Sequence, residues 1–361
     1  MRSYKLLLLL GVILLLASCK KEDEPAIVVI DTTPYILNTY DLPLPQIAED
    51  NKLTKAGVAL GRRLFYDKLL SLDQSLNCAS CHQQQFAFSD TSRFSIGVEG
   101  MPGGRQSMAV VNMAWNNNEF FWDGRAHLLR DQVVKPIQDP LELNLEMATL
   151  LERLQNHPEY PNLFMLAFGS NSITEELLGL ALEQFCNSIV SGDSKYDQFL
   201  AGTATLTESE ERGRSLFFAE FNPGFPDISG ADCAHCHSGK NFENDQYMNN
   251  ALDADGDMED LGRALVTENS SDNGKFKVPT LRNVALTAPY MHDGRFQSLE
   301  EVVQHYNSDM VMSSTIDPAL IYPLNSGGLQ LSDQDVQDII AFLNTLSDET
   351  LVTNPEYASP F

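Results

Sequence analysis

The sequence predicts an all-α protein built from two tandem helical domains, and three observations carry that reading. Its 361 residues are more than one domain usually holds and fit two. Helix-start signals recur along the chain, while no run alternates apolar and polar residues for long enough to make a confident strand. A set of short landmarks appears twice in the same order, which marks a duplicated domain rather than a solenoid.

In chain order, the first element is a targeting segment. Arg2 and Lys5 supply a positive start and Leu6 to Leu16 an apolar core interrupted only by Gly11, too short to span a bilayer comfortably. It ends in Leu16-Ala17-Ser18-Cys19, which resembles a bacterial lipoprotein lipobox. Residues 1–18 are therefore read as a signal peptide and Cys19 as the lipid attachment point, with 19–42 as a tether whose Lys20-Lys21-Glu22-Asp23-Glu24-Pro25 is too densely charged to fold alone. Lys20 rather than aspartate follows the cysteine. The expected location is periplasm-facing or outer-membrane-anchored, in a Gram-negative bacterium, with the membrane reached by the lipid alone.

The first domain is expected over 43–200 and the second over 201–361, with the boundary where helix signals lapse into Ser, Gly and Asp near 192–207. Leu60-Gly61-Arg62-Arg63-Leu64-Phe65 is answered by Arg212-Gly213-Arg214-Ser215-Leu216-Phe217, and Asn112-Met113-Ala114 by Asn283-Val284-Ala285. Phe121-Trp122-Asp123-Gly124-Arg125 is answered by Met291-His292-Asp293-Gly294-Arg295. Capping boxes are predicted at Ser172/Glu175, Thr207/Glu210 and Ser332/Asp335. In the last helix Val336, Ile339, Ile340, Leu343 and Leu346 form one apolar stripe, read as a terminal helix packing on its own domain.

The chemistry lies in the cysteines. Setting Cys19 aside, they fall into Cys78-Ala79-Ser80-Cys81-His82, Cys233-Ala234-His235-Cys236-His237 and a single Cys186 in an apolar stretch, read as a buried small hydrophobe. Each pair is followed at once by histidine, the c-type haem attachment pattern. Two thiols a short stretch apart can add to the two haem vinyl groups while the adjacent imidazole, His82 or His237, reaches the iron. A zinc knuckle or a dithiol motif would not explain a histidine directly after each pair. The two helical domains are thus cytochrome c-like, each with one covalently bound haem.

Lys+Arg 24 against Asp+Glu 50 give a net charge of −26, which repels nucleic acid and anionic lipid headgroups but suits a small cationic redox partner. Function is to be sought where the two copies differ. At the repeated Asp-Gly-Arg the first carries Trp122, an indole suited to relaying electrons or to filling a core, and the second His292. Beyond Trp122, Gln132 and Glu142 offer an amide and a carboxylate of the kind that peroxide heterolysis needs over an iron. Asp253-Ala254-Asp255-Gly256-Asp257-Met258-Glu259 lacks glycine at the sixth position and glutamate at the twelfth of a calcium loop and reads as an acidic loop.

With these motifs, from about Pro43 to about Asp348, the chain resembles the bacterial di-haem cytochrome c peroxidase family. The resemblance implies that the first haem, on His82, is peroxidatic, and that the second, on His237, receives electrons from a c-type cytochrome or cupredoxin and passes them through Trp122. It makes Gln132 and Glu142 the pair that handles peroxide protons. It also implies an inter-domain calcium ion, for which Thr287 and Pro289 match the carbonyl positions while Gln106 replaces an asparagine. Homodimers are usual in that family.

Two departures bear on mechanism. Where many members hold a removable distal histidine, this chain has Ser95-Ile96-Gly97-Val98; valine cannot ligate iron, so the first haem is expected to be five-coordinate, with Met101, Met108, Met113 and His127 as the alternative ligands. The expected second-haem methionine maps onto Tyr306, a feature resembling the enzyme that matures methylamine dehydrogenase, with His305 and Met310 as alternatives if the register slips. Phenolate favours ferric or higher-valent iron where thioether favours ferrous. Three functions follow: a hydrogen peroxide reductase, an oxidase in which a two-iron high-valent state oxidises a protein or small molecule, and a simple electron-transfer cytochrome.

Overall fold

A computed structural model describes residues 29–361; Cys19, the signal segment and the charged run fall outside the described residues. Twelve helices run through α1 (Lys55–Tyr66), α2 (Leu129–Gln138), α3 (Met147–Gln155), α4 (Tyr160–Phe168), α5 (Glu175–Ser188), α6 (Lys195–Leu200), α7 (Glu208–Phe218), α8 (Ala264–Thr267), α9 (Leu299–Gln304), α10 (Pro318–Asn325), α11 (Asp333–Asn344) and α12 (Glu349–Thr353). Among the described residues the sheet is a two-residue antiparallel pair, β1 (Tyr247–Met248) and β2 (Phe276–Lys277). No helix among them is long and apolar enough to cross a membrane.

The duplication seen in the sequence is a duplicated helix crossing. α1 lies across α5 in the first half and α7 across α11 in the second. Each crossing is as close as backbone permits because a glycine sits at it: a Cβ on Gly61 would come within 1.9 Å of the Ala181 carbonyl oxygen, and one on Gly213 within 1.8 Å of that of Asp338. The Leu-Phe that follows each glycine turns a buried aromatic inward, Phe65 onto Phe88 and Phe185, and Phe217 onto Phe242 and Phe342. Two separate apolar cores result, one around Leu64, Ile137, Leu150, Phe164 and Phe185, the other around Phe217, Val336, Ile339 and Phe342.

The second shared landmark joins the halves. Asn112 and Asn283 both adopt left-handed backbone at the start of a short 3-10 turn. Asn112 accepts from Ser191 N–H (2.8 Å) and donates to Ser191 C=O (3.0 Å), while Asn283 donates to Ser191 Oγ (3.0 Å) and accepts from Asp348 N–H (2.8 Å). Asp348 is fully buried with no cation against it; its carboxylate accepts from Ser191 Oγ, the N–H groups of Gly192, Asp193 and Leu351, and both donors of Thr350. A buried carboxylate is tolerable only with donors of this kind around it.

The structure departs from the sequence expectations in four places. The α5 cap is Thr174, which accepts from Leu177 N–H, so Glu175 is the first helical residue and Ser172 caps nothing; the boxes at Thr207 and Ser332 form as expected. α11 carries the predicted stripe but is not terminal, because α12 follows and Leu351 and Tyr357 enter the first core. Tyr196 belongs to the second core although it precedes residue 201. The end of the expected tether is docked: Tyr35 N–H bonds Leu53 C=O, Lys55 N–H bonds Thr33 C=O, and Tyr35, Leu37 and Leu42 pack on apolar clusters. Except for the α5 cap, each departure involves a partner far away in sequence, which local pattern does not encode.

Candidate active site

Both Cys-x-x-Cys-His segments begin as one 3-10 turn, Cys78–Ser80 and Cys233–His235. His82 Nδ1 lies 3.0 Å from Phe88 C=O, and His237 Nδ1 lies 3.2 Å from Phe242 C=O and 3.1 Å from Pro279 C=O. A carbonyl only accepts, so Nδ1 carries the proton in each ring and Nε2 keeps its lone pair for a metal. Burial holds the His82 imidazole below its usual pKa and pushes that of His237 down to about 4, so both stay in the neutral, ligating form.

In the first half these residues open on a cavity of about 1090 Å³ that also takes in Trp122, Gln132, Glu142 and Cys186. α2 contributes Leu129, Gln132, Val133 and Pro136, the one-sided spacing of a helix face. Pro136 has no N–H for the carbonyl four residues back, and α2 ends two residues later. The chain then folds back in a tight turn, Glu142 N–H bonding Asp139 C=O at 3.0 Å and Leu143 N–H bonding Pro136 C=O at 3.1 Å. That reversal returns Glu142 to the cavity that Gln132 already lines. Burial, and then Asp139, push the Glu142 carboxyl up to about 7, with Arg125 opposing.

The Ser95-Ile96-Gly97-Val98 segment acts as a brace for this carboxyl. Val98 N–H donates to Glu142 C=O at 2.8 Å, and a Cβ on Gly97 would come within 2.1 Å of Leu141 C=O. Val98 does not line the cavity, and neither do Met101 and His127, both exposed; Met108 and Met113 do. The Met108 backbone lies close enough to His82 to influence its imidazole, which places it on the His82 side.

The second half differs in what faces its thiols. α9 passes into a π-helical turn, His305–Asp309, a form found mostly as single turns at functional sites. Tyr306 sits on it, packed in the second core and close enough to Cys233 and Cys236 for their charges to influence its phenol. Burial raises the phenol pKa well above its usual value, with the nearby Asn250 amide opposing. His305 Nε2 is 2.9 Å from Asn250 C=O, which commits it to that carbonyl. Met310 is buried with Ala251 and Ile316.

Between the halves the two Asp-Gly-Arg loops face each other across Gln106. Both have left-handed residues at matching places, Phe121 and Gly124 in one, Met291 and Gly294 in the other. Trp122 Nε1–H donates to Gln106 C=O at 2.8 Å, Gln106 N–H donates to His292 C=O at 2.8 Å, and Lys277 N–H donates to Trp122 C=O at 2.7 Å. The Gln106 amide donates to Ser89 Oγ at 3.0 Å. Arg105 ties the domains, holding Asp123 in one and both oxygens of Asp260 in the other. The sequence signal for Arg105, Asp348 and Gly97 was too small to find them, being single residues outside any repeat.

A family profile described as di-haem cytochrome c peroxidase matches residues 55–205, and one described as cytochrome c matches 211–347. The methylamine utilization protein MauG of Methylophilus methylotrophus is 33% identical over 83% of this chain and 85% of its own. The chain belongs to the di-haem cytochrome c peroxidase family. As a member it is an oxidoreductase with two c-type haems, one for each helical domain. Another relative is the cytochrome c551 peroxidase of Nitrosomonas europaea, 30% identical over 83% of this chain and 81% of the relative. The crystal structure of a MauG-like protein associated with microbial copper homeostasis superimposes with a TM-score of 0.79 at 32% identity, covering 88% of this chain and 97% of that one.

Proposed function

We propose that the protein is a peroxidase that reduces H2O2 to two molecules of water with two electrons and two protons, using a haem in the first cavity. The arrangement that carries the reading is Glu142 and Gln132 in the same cavity as Cys78, Cys81 and His82, the carboxyl held at a pKa of about 7. The residues suit the group: two thiols to bind it covalently and an imidazole whose Nε2 is free, within a cavity of about 1090 Å³. The haem supplies the iron centre at which peroxide takes up two electrons.

Everything else is the chain's part. Glu142 takes a proton from one peroxide oxygen and returns it to the other, a shuttle that works best with a pKa near the working pH. The Gln132 amide donates to the oxygen on which charge develops. Trp122, its indole N–H fixed on Gln106 C=O, would relay electrons from the second haem, which Cys233, Cys236 and His237 would hold together with Tyr306. Val98, Met101 and His127 do not line the cavity, so none of these three would ligate a haem held there. The donor is a small redox protein such as a c-type cytochrome or cupredoxin. Residues 1–18 export the chain and Cys19 tethers it, facing the periplasm. A calcium ion at Gln106 and the carbonyls of Thr287 and Pro289 belongs to the same reading, and a chelator should then slow inter-haem transfer.

The testing experiment is H2O2-driven oxidation of a reduced small c-type cytochrome by the purified, never-reduced diferric protein. Rapid turnover with a high-spin ferric component is expected. No turnover from a purely low-spin protein would overturn the reading. Tyr306 favours one second reading, an oxidase acting on a bound protein or small molecule, because a phenolate makes the second haem a poorer acceptor from a cytochrome. Gln132 and Glu142 argue against mere electron transfer.

A further inference from the structure

His292 is the one member of the inter-domain set whose side chain has no work in the protein. It occupies, in the second copy, the place of Trp122 in the first, and its residue is 7% exposed. The ring lies flat on Phe276, with centroids 3.7 Å apart and planes 10° from parallel. Arg105 covers the Phe276 ring at 5.5 Å, so the stack is locked into the contact between domains. The backbone of His292 is also fixed, its C=O accepting from Gln106 N–H. Yet among the described residues neither ring nitrogen has a hydrogen-bond partner within the protein, whereas those of His82, His237 and His305 do. The ring lines the first-half cavity, the one containing Cys78, Cys81 and His82, although it belongs to the second half.

The ring faces the cavity with no protein partner for its N–H, so it is placed to donate to whatever group fills that space, and leaving it unpaired once the cavity is filled would cost about 1–3 kcal/mol. Burial lowers the imidazole pKa to about 4, so the ring is neutral and offers one N–H. The cavity is filled by a haem, and the anionic acceptors that a haem carries are its two propionate carboxylates. Arg105 is already committed to Asp123 and Asp260, and Arg295 to Asp253 and Asp293, so these nearby cations are largely neutralised.

We propose that His292 donates its ring N–H to a propionate of the first-domain haem, making it the second domain's direct hold on the peroxidatic cofactor. The inference rests on the family assignment, which puts a haem in this cavity, and not on the peroxidase reading. A donor on the propionate draws negative charge away from the iron and favours its ferrous form, so losing that donor lowers the potential. The second haem, held by Cys233, Cys236 and His237, is not touched.

The test is a spectroelectrochemical titration of the di-haem protein against two variants. His292→Phe keeps a flat ring for Phe276 and removes both nitrogens; His292→Gln restores an N–H and gives up the stack. The expected result is a lower potential for the first haem in His292→Phe, a substantial return in His292→Gln, and no change at the second haem in either. A first-haem potential equal in wild type and His292→Phe would overturn the proposal, and a shift confined to His292→Gln would mark the stack and not the hydrogen bond; a shift of equal size in both variants would overturn it too, because the restored N–H would have recovered nothing. If His292→Phe fails to load haem, the Gln variant decides alone: a potential near wild type supports the donor, and a clear fall overturns it. Failure of peroxide turnover leaves this readout intact, so the two readings fail separately.

Discussion

The two halves of the chain hold their histidines alike and differ in what they set opposite. Each crosses two helices at a glycine, turns a left-handed asparagine into a short helix, and fixes a proximal imidazole through Nδ1 to backbone carbonyls. In the first half the space beyond the imidazole is a cavity with an amide and a carboxyl at its edge. In the second a tyrosine on a π-helical turn lies among the core residues beside the thiols. The scaffold that holds the proximal histidine is thus separable from the residues set opposite it, which lie on segments where the two copies differ.

The comparison breaks most visibly if the second half is given the ligand of a conventional electron-transfer haem. Tyr306→Met should raise the second-haem potential by a sizeable part of the roughly 0.8 V over which axial ligands tune haem iron, and should speed reduction by a cytochrome donor. Spectroelectrochemistry with stopped-flow reduction reads both. An unmoved potential would mean that Tyr306 is packing only.

The first half is tested by Glu142→Gln, which keeps the shape and removes the proton carrier. Peroxide kcat/KM should fall by about 10²–10⁴-fold, with both haem spectra and the second-haem potential unchanged. A fall below threefold would take Glu142 out of the chemistry.

Gly61→Ala and Gly213→Ala probe what the halves share. Each methyl meets a carbonyl oxygen, at 1.9 and 1.8 Å, so each should cost about 1–3 kcal/mol in denaturant melts followed at the corresponding haem band. Clearly unequal costs would show that the two crossings are not mechanically equivalent.

The smallest effect is a pH profile. Glu142 must be ionised to accept the peroxide proton, and its carboxyl is raised to about 7, so peroxide kcat/KM should climb about tenfold from pH 6 to pH 8 and then level. In Glu142→Gln the slope should vanish. A rate falling over that interval would reverse the assigned role of the carboxyl.

Much of this was legible in the linear chain, because covalent attachment leaves a local signature. Two thiols and an imidazole must be close neighbours in sequence to serve one haem, so Cys78, Cys81, His82, Cys233, Cys236 and His237 stand out without any knowledge of the fold. The same holds for the Thr207 and Ser332 caps and for the α11 stripe, where each partner is a few residues away. Capping failed at Ser172 because two hydroxyl residues compete there and the geometry chose Thr174. Tyr196 and Leu351 each pack in the core of the other half because they are apolar residues that either core would accept.

What the sequence by itself determined is the fold class, the duplication and the cofactor. Only the tertiary structure decided how individual residues behave. A glutamate ten positions beyond a glutamine is an ordinary acid until burial raises its pKa. Asp348 is an ordinary C-terminal aspartate until donors from the 191–193 linker close around it. His292 looks like a variant of a repeat until its ring is stacked on Phe276 and faces the other domain's cavity. The physical reason is common to all three: burial and hydrogen-bond supply depend on groups brought from tens to more than a hundred residues away, and no local pattern carries that information.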